Sequence, residues 1–405
     1  MRLLITFLRN VLNLQAVVIE GGRFEAALGQ AVICVRRRRN AKPRCPQHGC
    51  VLTGKIVEKT TRWRSLNFAK CRLQLEANLR EGRCPRCDGR RDEAVPWASH
   101  RAKHTTIFDR WVARLVQLTD KTAVAELAGI AWRTVGAIIE RVIAEIGPKN
   151  LLDDLVGITV VEVSHKRGHR YLTIVTNLEN GLAVWAGEGK GAATLLKFFD
   201  ELGLERTAKL QVVAMDMSGG YRSAVLERAK NAEIIYDRFH IVKLLLEAVD
   251  GVRRDECRSL EGEDRKELKH TRFALLRNPK HLKPKDKLAI ARVQATNKHL
   301  TRAYELRVDF EEFWKIKDEE KGRKFLMSWT RSALLSRLAP LQKFAKTIRG
   351  HMEGVLGFIR WYGITSGQAE GMNNKIKLLI HRAFGFHSAA AVMAMITLCC
   401  SGIRP

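Results

Sequence analysis

The chain is poor in the features that mark secreted or membrane-embedded proteins. Nine cysteines in 405 residues are too few for a disulfide scaffold. No apolar run reaches the ~18 residues that cross a membrane, and Arg9 and Asn13 interrupt the apolar N-terminal stretch. No small-residue cleavage site of a signal peptide is obvious there. We therefore expect a cytoplasmic protein with no membrane partner.

Acidic residues are also scarce, and this scarcity points to a partner. The sequence has 43 Asp and Glu against 71 Lys and Arg, a formal net charge of +28. Such a surplus favours binding to a polyanion, of which nucleic acid is the most common. About half of it lies within residues 1–110, which include the run Arg36, Arg37, Arg38 and Arg39. We interpret that run as a candidate DNA-phosphate contact; a solvated surface is the alternative.

Two short cysteine-containing turns predict a structural zinc site. The first is Cys45-Pro-Gln-His48-Gly-Cys50, and the second is Cys84-Pro-Arg-Cys87. Thiolates and imidazole suit tetrahedral zinc, and two such turns separated by about 35 residues are typical of a zinc ribbon. The predicted ligands are Cys45, His48, Cys84 and Cys87, with Cys50 as the substitute for His48. Free thiols in a decayed site are the alternative.

A helix-turn-helix follows in the predicted organisation. Residues 119–128 and 132–142 have helical patterns, and Gly129 lies in the short turn between them. The second helix would be the recognition helix, so its first residues would meet base edges or phosphates. The candidate DNA contacts are Trp132, Arg133 and Thr134. A plain helical pair inside a bundle is the alternative.

The pattern changes to strands after the linker at 147–150. Strand-type runs occur at 156–163, 170–176, 182–186, 210–215 and 232–236, and helices separate the last three. This order of strands and helices is that of a ribonuclease H-like domain. Asp216 directly follows the fourth strand, where α/β sheets present metal ligands or acid–base groups.

Charged helical patterns replace the strands at 237–350 and predict an all-α insertion. The chain then returns with a helix around 365–377 that carries Glu370 and Lys377 on adjoining parts of one face. A helix of this kind near Asp216 can bind a divalent cation and a phosphate together. The predicted fold is multidomain α+β. Its segments are a zinc-ribbon-like DNA-binding region at 1–104, a helix-turn-helix at 105–148, a ribonuclease H-like core at 151–240, an all-α insertion at 241–350 and a C-terminal catalytic helix region at 351–405.

The motifs in these segments resemble those of bacterial insertion-sequence transposases of the DDE type, and of the ISL-three family in particular. The matching stretches are 162–173, 185–189, 215–221, 237–243 and 365–386. The resemblance implies that Asp216 and Glu370 are the second and third catalytic acids, with Mg²⁺ or Mn²⁺ as cofactor and His240 near the active site. It also implies a homo-oligomer that binds double-stranded DNA at transposon inverted repeats and at the target.

One departure from the family pattern affects the expected activity. The family has an Asp-Glu pair on the first strand of the catalytic domain, and this chain has Val161-Glu162. Side chains alternate across a strand, so Glu162 should face away from the site that Val161 faces. Glu162 is nevertheless the only candidate replacement on this strand. The alternatives to an active enzyme are a catalytically silent DNA-binding protein of transposase descent and a zinc-ribbon regulator unrelated to transposition.

Overall fold

The computed structural model describes residues 17–38, 40–68, 71–166, 170–361, 367–383 and 386–405. The side chains of residues 367–370 and of Asn373 also lie outside the described part, as does Arg39, so the predictions for Arg39 and the Glu370 carboxylate fall outside it. The chain divides into two compact units, Met1–Pro148 with Gly402–Pro405, and Lys149–Ser401. The five-segment division made from the sequence stays a prediction.

A five-stranded sheet forms the first part of the first unit. Residues 17–25 and 30–37 form a hairpin whose turn is at 26–29, where Gly29 has a positive φ of 57°. Gly21 and Gly22 lie within its first strand, beside a shift in register. The strands are β1 (Val17–Glu25), β2 (Gln30–Arg37), β3 (Thr53–Arg64), β4 (Arg72–Cys84) and β5 (Gly89–Asp92), in the order β1-β2-β4-β3 with β5 also on β4.

Three helices complete the first unit: α1 (Thr106–Leu118), α2 (Lys121–Ala128) and α3 (Trp132–Ile146). Asp120 caps α2 by accepting from two backbone N–H groups, and Gly129 ends it with a left-handed φ of 59°. These local signals bend the chain by 100° between α2 and α3. Val124 and Ala128 of α2 and Val135 and Ile138 of α3 are buried.

A second five-stranded sheet is the centre of the second unit. Strands β6, β7 and β8 are antiparallel, whereas β9 and β10 run parallel to β6. Their bounds are Gly157–Lys166, Arg170–Asn177, Ala183–Glu188, Val212–Met215 and Glu233–Tyr236, in the order β10-β9-β6-β7-β8. The connecting helices are α4 (Ala192–Leu202), α5 (Leu204–Ala208) and α6 (Gly219–Arg228).

The described residues after β10 are mostly helical, as the charge and apolar spacing at 237–350 predict. Aromatic rings packed around Phe310 form much of the core in this part. The helices are α7 (Arg238–Arg258), α8 (Gly262–His270), α9 (Arg272–Leu276), α10 (Pro284–Thr296), α11 (Lys298–Phe310), α12 (Glu319–Leu335), α13 (Ala339–Gly350), α14 (Met352–Arg360), α15 (Gly367–Arg382) and α16 (Ala389–Cys400).

No single helix within the described ranges is both long and apolar enough to cross a membrane. The bent pair α2 and α3 meets that criterion only when the two helices are taken together.

Candidate metal, DNA-binding and catalytic sites

The structure brings together the four predicted zinc ligands. The Sγ atoms of Cys45, Cys84 and Cys87 and a ring nitrogen of His48 all lie within 4.8 Å of one another. The Cys45 and Cys87 Sγ atoms are 3.7 Å apart, and His48 Nδ1 is 3.2 Å from Cys87 Sγ. Zinc–sulfur bonds of about 2.3 Å in a tetrahedron place sulfurs about 3.8 Å apart. The donor set and its spacing therefore fit a zinc ion.

The backbone of the first turn separates the roles of His48 and Cys50. Cys45 N–H donates to Cys50 O, and Gly49 N–H, at a positive φ, donates to Cys45 O. This turn aims Cys50 Sγ at Cys84 Sγ, at 3.3 Å, and leaves it outside the group of four. Burial alone would raise the pKa of Cys84, but hydrogen bonds from His48 and the Cys87 backbone N–H lower it to about 5.

The first turn of α3 presents the predicted DNA contacts at the surface. Trp132 is 40% exposed, and the Lys121 ammonium lies 3.6 Å from the centroid of its ring. Arg133 is exposed and Thr134 is half-buried. The buried residues of α3 are Val135, Ile138, Ile139 and Val142. By helical spacing Arg133 lies on the side opposite to them, where it can meet a DNA groove while core packing is kept.

Arg64, at the end of β3, is a residue whose importance sequence reasoning missed. Its guanidinium donates to the carbonyl oxygens of Ala128 and Gly129, and it lies over the ring of Phe108. A cation at a helix C-terminus satisfies free carbonyls and complements the helix dipole. Arg64 therefore fixes the sheet to the turn between α2 and α3. No sequence signal distinguishes it from the other arginines.

The arginine run is less open than its sequence suggests. Arg36 pairs with Glu20 at 2.7 Å, and Arg37 lies 3.5 Å from the buried carboxylate of Glu93 and donates to Ala94 O. Burial lowers the pKa of Arg37, and Glu93 partly offsets this effect. The structure places Arg37 in an internal network, which corrects its assignment as an open phosphate contact. Arg38 is exposed.

The register of the second sheet defines which side chains share a face with Asp216. Gly157, Ile158 and Thr159 of β6 pair with Val212, Val213 and Ala214 of β9. Continuing this parallel register by two residues places Val161 level with Asp216, on the same face of the sheet. Asp216 follows β9 and accepts a hydrogen bond from Ser218 N–H at 2.9 Å. Val161 thus places an apolar side chain, with no oxygen donor, level with Asp216.

Glu162 faces the other side of the sheet, as strand alternation predicts. It is paired with Thr173 of β7, and Thr173 Oγ1 lies 2.8 Å from the hydroxyl of Tyr221 in α6. Burial raises the pKa of Tyr221, and the negative charges of Glu162 and Asp216 add to this effect. The register shift between β6 and β7 lies after Ser164, so it does not turn Glu162 toward the face of Val161.

Helix α15 covers the face to which Val161 belongs. Its buried residues Ile376 and Leu379 pack in one apolar cluster with Val163 and Ile174, and Val161 packs against that cluster. Glu370 belongs to the first turns of this helix, although its side chain lies outside the described part. Lys377 is exposed on the same helix.

His240 lies at the carboxyl edge of the same sheet, one strand beyond Asp216. Asp237 N–H donates to Met215 O, and its carboxylate caps α7 by accepting from Phe239 N–H. His240 is half-buried in the first turn of α7, and its ring meets that of Phe239 edge-on at 5.4 Å. This edge therefore gathers Asp216, Asp237 and His240 from two neighbouring strand ends.

Comparison with known sequences decides the family. The profile of the DDE transposase family of ISL3 type, described as Transposase, matches residues 158–396. A second profile, the helix-turn-helix domain of transposase family ISL3, matches residues 93–143. The chain belongs to the ISL3 transposase family.

Two curated relatives of the ISL3 chain show how far the likeness extends. The transposase for insertion sequence element IS1557 of Mycobacterium tuberculosis is 36% identical over 367 residues, covering 85% of this chain and 82% of the relative. The transposase for IS1001 of Bordetella parapertussis is 28% identical over 335 residues, covering 82% of each.

The two profile matches cover the candidate DNA-binding and catalytic regions of this ISL3 transposase. The helix-turn-helix match contains α1, α2 and most of α3, so DNA binding by this element is a family property. The transposase match begins in β6 and ends in α16, so it includes Val161, Asp216 and Glu370.

Proposed function

We propose that this ISL3 transposase binds the ends of an insertion sequence and that its second unit is a ribonuclease H-like domain of DDE type. The strand order β10-β9-β6-β7-β8, with three antiparallel strands followed by two parallel ones, supports the fold assignment. The same order puts Asp216 at a strand end, where a carboxylate can meet a ligand outside the sheet. Asp216 and Glu370 are the proposed catalytic carboxylates, and His240 is their proposed neighbour.

Val161 determines what chemistry remains. A DDE centre, when loaded with two Mg²⁺ or Mn²⁺ ions, stabilises both the attacking and the leaving oxygen of a phosphate displacement. Val161 shares the face of Asp216 and offers no oxygen donor, while Glu162 lies on the opposite face near Tyr221. The donor set therefore does not fit a complete two-ion centre. We propose that the chain retains DNA-end binding and does not cleave DNA strands.

Zinc is the proposed structural cofactor of the first unit. The 3.7 Å spacing of Cys45 and Cys87 Sγ and the nearby His48 nitrogen support this assignment. The ion would hold the first turn to the end of β4, and so keep the sheet beside α1 in the form that presents the DNA-binding helices.

Double-stranded DNA is the proposed partner, at the inverted repeats and at the target. Arg133, exposed in the first turn of α3, with Trp132 and Thr134, is placed to meet it. Exposed Arg38 and Lys377 are further proposed phosphate contacts, whereas Arg36 contributes only if its pair with Glu20 opens. We also propose that the protein acts as a homo-oligomer.

Binding and cleavage of the same DNA test the proposed function. The full-length protein is mixed with a labelled duplex that carries the ends of its own element, with a shuffled duplex as control, in Mg²⁺ or Mn²⁺. We expect retention of the end duplex that weakens with salt and no strand cleavage. Efficient cutting by the unchanged protein would contradict the silent centre, and equal binding of both duplexes would contradict end recognition.

A further inference from the structure

The connection between α9 and α10, together with the first turn of α10, has an unbalanced positive charge that the proposed sites do not use. Four lysines occur within eight residues, and all four are exposed. Within the part of the chain that the structure describes, none of their ammonium groups lies within 4.0 Å of a carboxylate. These four, the α9–α10 lysines, are Lys280, Lys283, Lys285 and Lys287.

Several other exposed cations of the helical region are balanced locally. Arg258, Lys266, Arg302 and Lys324 each pair with a carboxylate three or four residues away on the same helix. Such pairs are the usual state of a solvated helix surface. The α9–α10 lysines depart from it, because four like charges remain close together at a cost in mutual repulsion.

The backbone under these lysines is held in place. Asp286, which is 6% exposed, accepts from the Arg277 guanidinium at 2.6 Å and from Lys283 N–H at 3.0 Å. Asn278 caps the short 3-10 helix at Pro279–His281 by accepting from Lys280 N–H. Asp286 is the one acidic residue in this stretch, and its carboxylate is therefore already used in internal hydrogen bonds. The lysines project from an ordered backbone.

The connection lies beside the carboxyl edge of the catalytic sheet. A cavity of about 310 Å³ is lined by Asn278, Pro279 and Lys280 on one side and by Arg238 on the other. Arg238 directly follows Asp237, whose N–H donates to the last residue of β9. Glu311 and Glu312 also line this cavity, but they pair with Arg238 and Lys315. Through this cavity, the Lys280 end of the connection lies near Arg238, at the edge that holds Asp216.

We propose that the α9–α10 lysines bind the phosphates of duplex DNA that passes the catalytic edge, as a contact separate from the helix-turn-helix. Duplex DNA carries one negative charge per about 1.7 Å of axis, so it complements a fixed group of unpaired lysines. The contact positions DNA and carries no sequence information. The inference rests on the proposed DNA-processing function and adds a second surface to it.

Salt titration of binding to a random-sequence duplex tests this second surface. One full-length variant changes the four α9–α10 lysines to Gln, and a matched variant changes Arg258, Lys266, Arg302 and Lys324 to Gln, so each variant carries four fewer positive charges. The slope of log affinity against log salt should become shallower by roughly 0.9 for each phosphate that the variant no longer neutralises, up to about 3.6, in the first variant only. Thermal unfolding checks that both variants fold.

The remaining outcomes separate this inference from the proposed function. Wild-type-like slopes in the α9–α10 variant, or equal changes in both variants, overturn the second surface while end binding stands. Absence of duplex binding by the unchanged protein overturns both. A larger effect on duplex RNA than on DNA would make RNA the occupant and overturn the proposal for DNA.

Discussion

Val161 and Glu162 differ by one position along β6, and that single step puts their side chains on opposite faces of the sheet. Sequence alternation was sufficient to predict this, because the register of β6 shifts only after Ser164. The level of Val161 relative to Asp216 was not predictable, since it depends on pairing between strands more than fifty residues apart. At the residue scale, the metal-binding capacity of this strand depends on strand register as much as on which residue type stands at each position.

His48 and Cys50 give a testable prediction at the residue scale. His48→Ala should reduce zinc affinity by at least the roughly 10–100-fold that removal of an outer-shell partner costs, because it removes a direct ligand. Cys50→Ala should change zinc affinity little, since Cys50 lies outside the group of four. Competition with a chromophoric chelator measures both. The assignment is contradicted if Cys50→Ala weakens zinc binding more than His48→Ala does.

Arg133 gives another prediction at this scale, in which a substitution lowers DNA affinity and leaves stability unchanged. Arg133→Ala should weaken binding of the end duplex severalfold, by about 1–3 kcal/mol if the side chain meets a base edge. Arg114→Ala, which removes an exposed arginine from α1, is the matched control and should bind as the unchanged protein does. Electrophoretic mobility shift measures the affinities. Equal weakening in both variants would mean that only net charge was removed.

At the scale of whole elements, the first sheet is joined by an ion network around Glu76 in β4. Its carboxylate accepts from Arg23 of β1 and from Arg62 of β3, which is its cross-strand neighbour. These contacts, led by the Arg23 hydrogen bonds, lower the pKa of Glu76 from 4.5 to about 2. The network therefore connects strands on both sides of β4.

The Glu76 network predicts a pH-dependent contribution to stability. Glu76→Gln should cost about 1–2 kcal/mol at pH 7, discounted for partial exposure. A lowered folded-state pKa means that this contribution is complete above pH 4.5 and is lost as the pH falls toward 2. Urea unfolding of both proteins should therefore show a difference that shrinks below pH 4.5. Glu263→Gln, at a carboxylate side chain 80% exposed, is the control and should cost little. A pH-independent difference would contradict the linkage.

Element prediction succeeded where local signals specify the backbone. Asp120 and Gly129 mark the ends of α2 in the sequence, and the helix has those ends in the structure. The apolar residues of α2 and α3 are not all buried alike: Val124, Val135 and Ile138 are buried, whereas Ala125 is only half-buried. Tertiary packing determines which of two neighbouring apolar residues faces inward. The apolar pattern of the sequence does not distinguish between them.

At the scale of the whole molecule, only part of the net charge of +28 is available to bind DNA. Many basic side chains pair with carboxylates nearby, so the total charge overstates the surface open to DNA. The fold class was predictable because strand and helix periods change along the chain. The Arg64 contact with the turn after α2 and the unpaired α9–α10 lysines were not, since both depend on which charges meet after folding.

We propose that Val161 alone removes strand cleavage from the sheet edge that holds Asp216. The most direct measurement is Mg²⁺- or Mn²⁺-dependent strand cleavage of the end duplex by Val161→Asp, with Val161→Asn as a control of similar shape and no negative charge. We expect the Val161→Asp protein to cleave the duplex and the Val161→Asn protein not to cleave it. Adding Asp216→Asn to Val161→Asp should abolish cleavage. A folded Val161→Asp protein that binds the ends and still cuts nothing would contradict it, and so would cutting that survives Asp216→Asn.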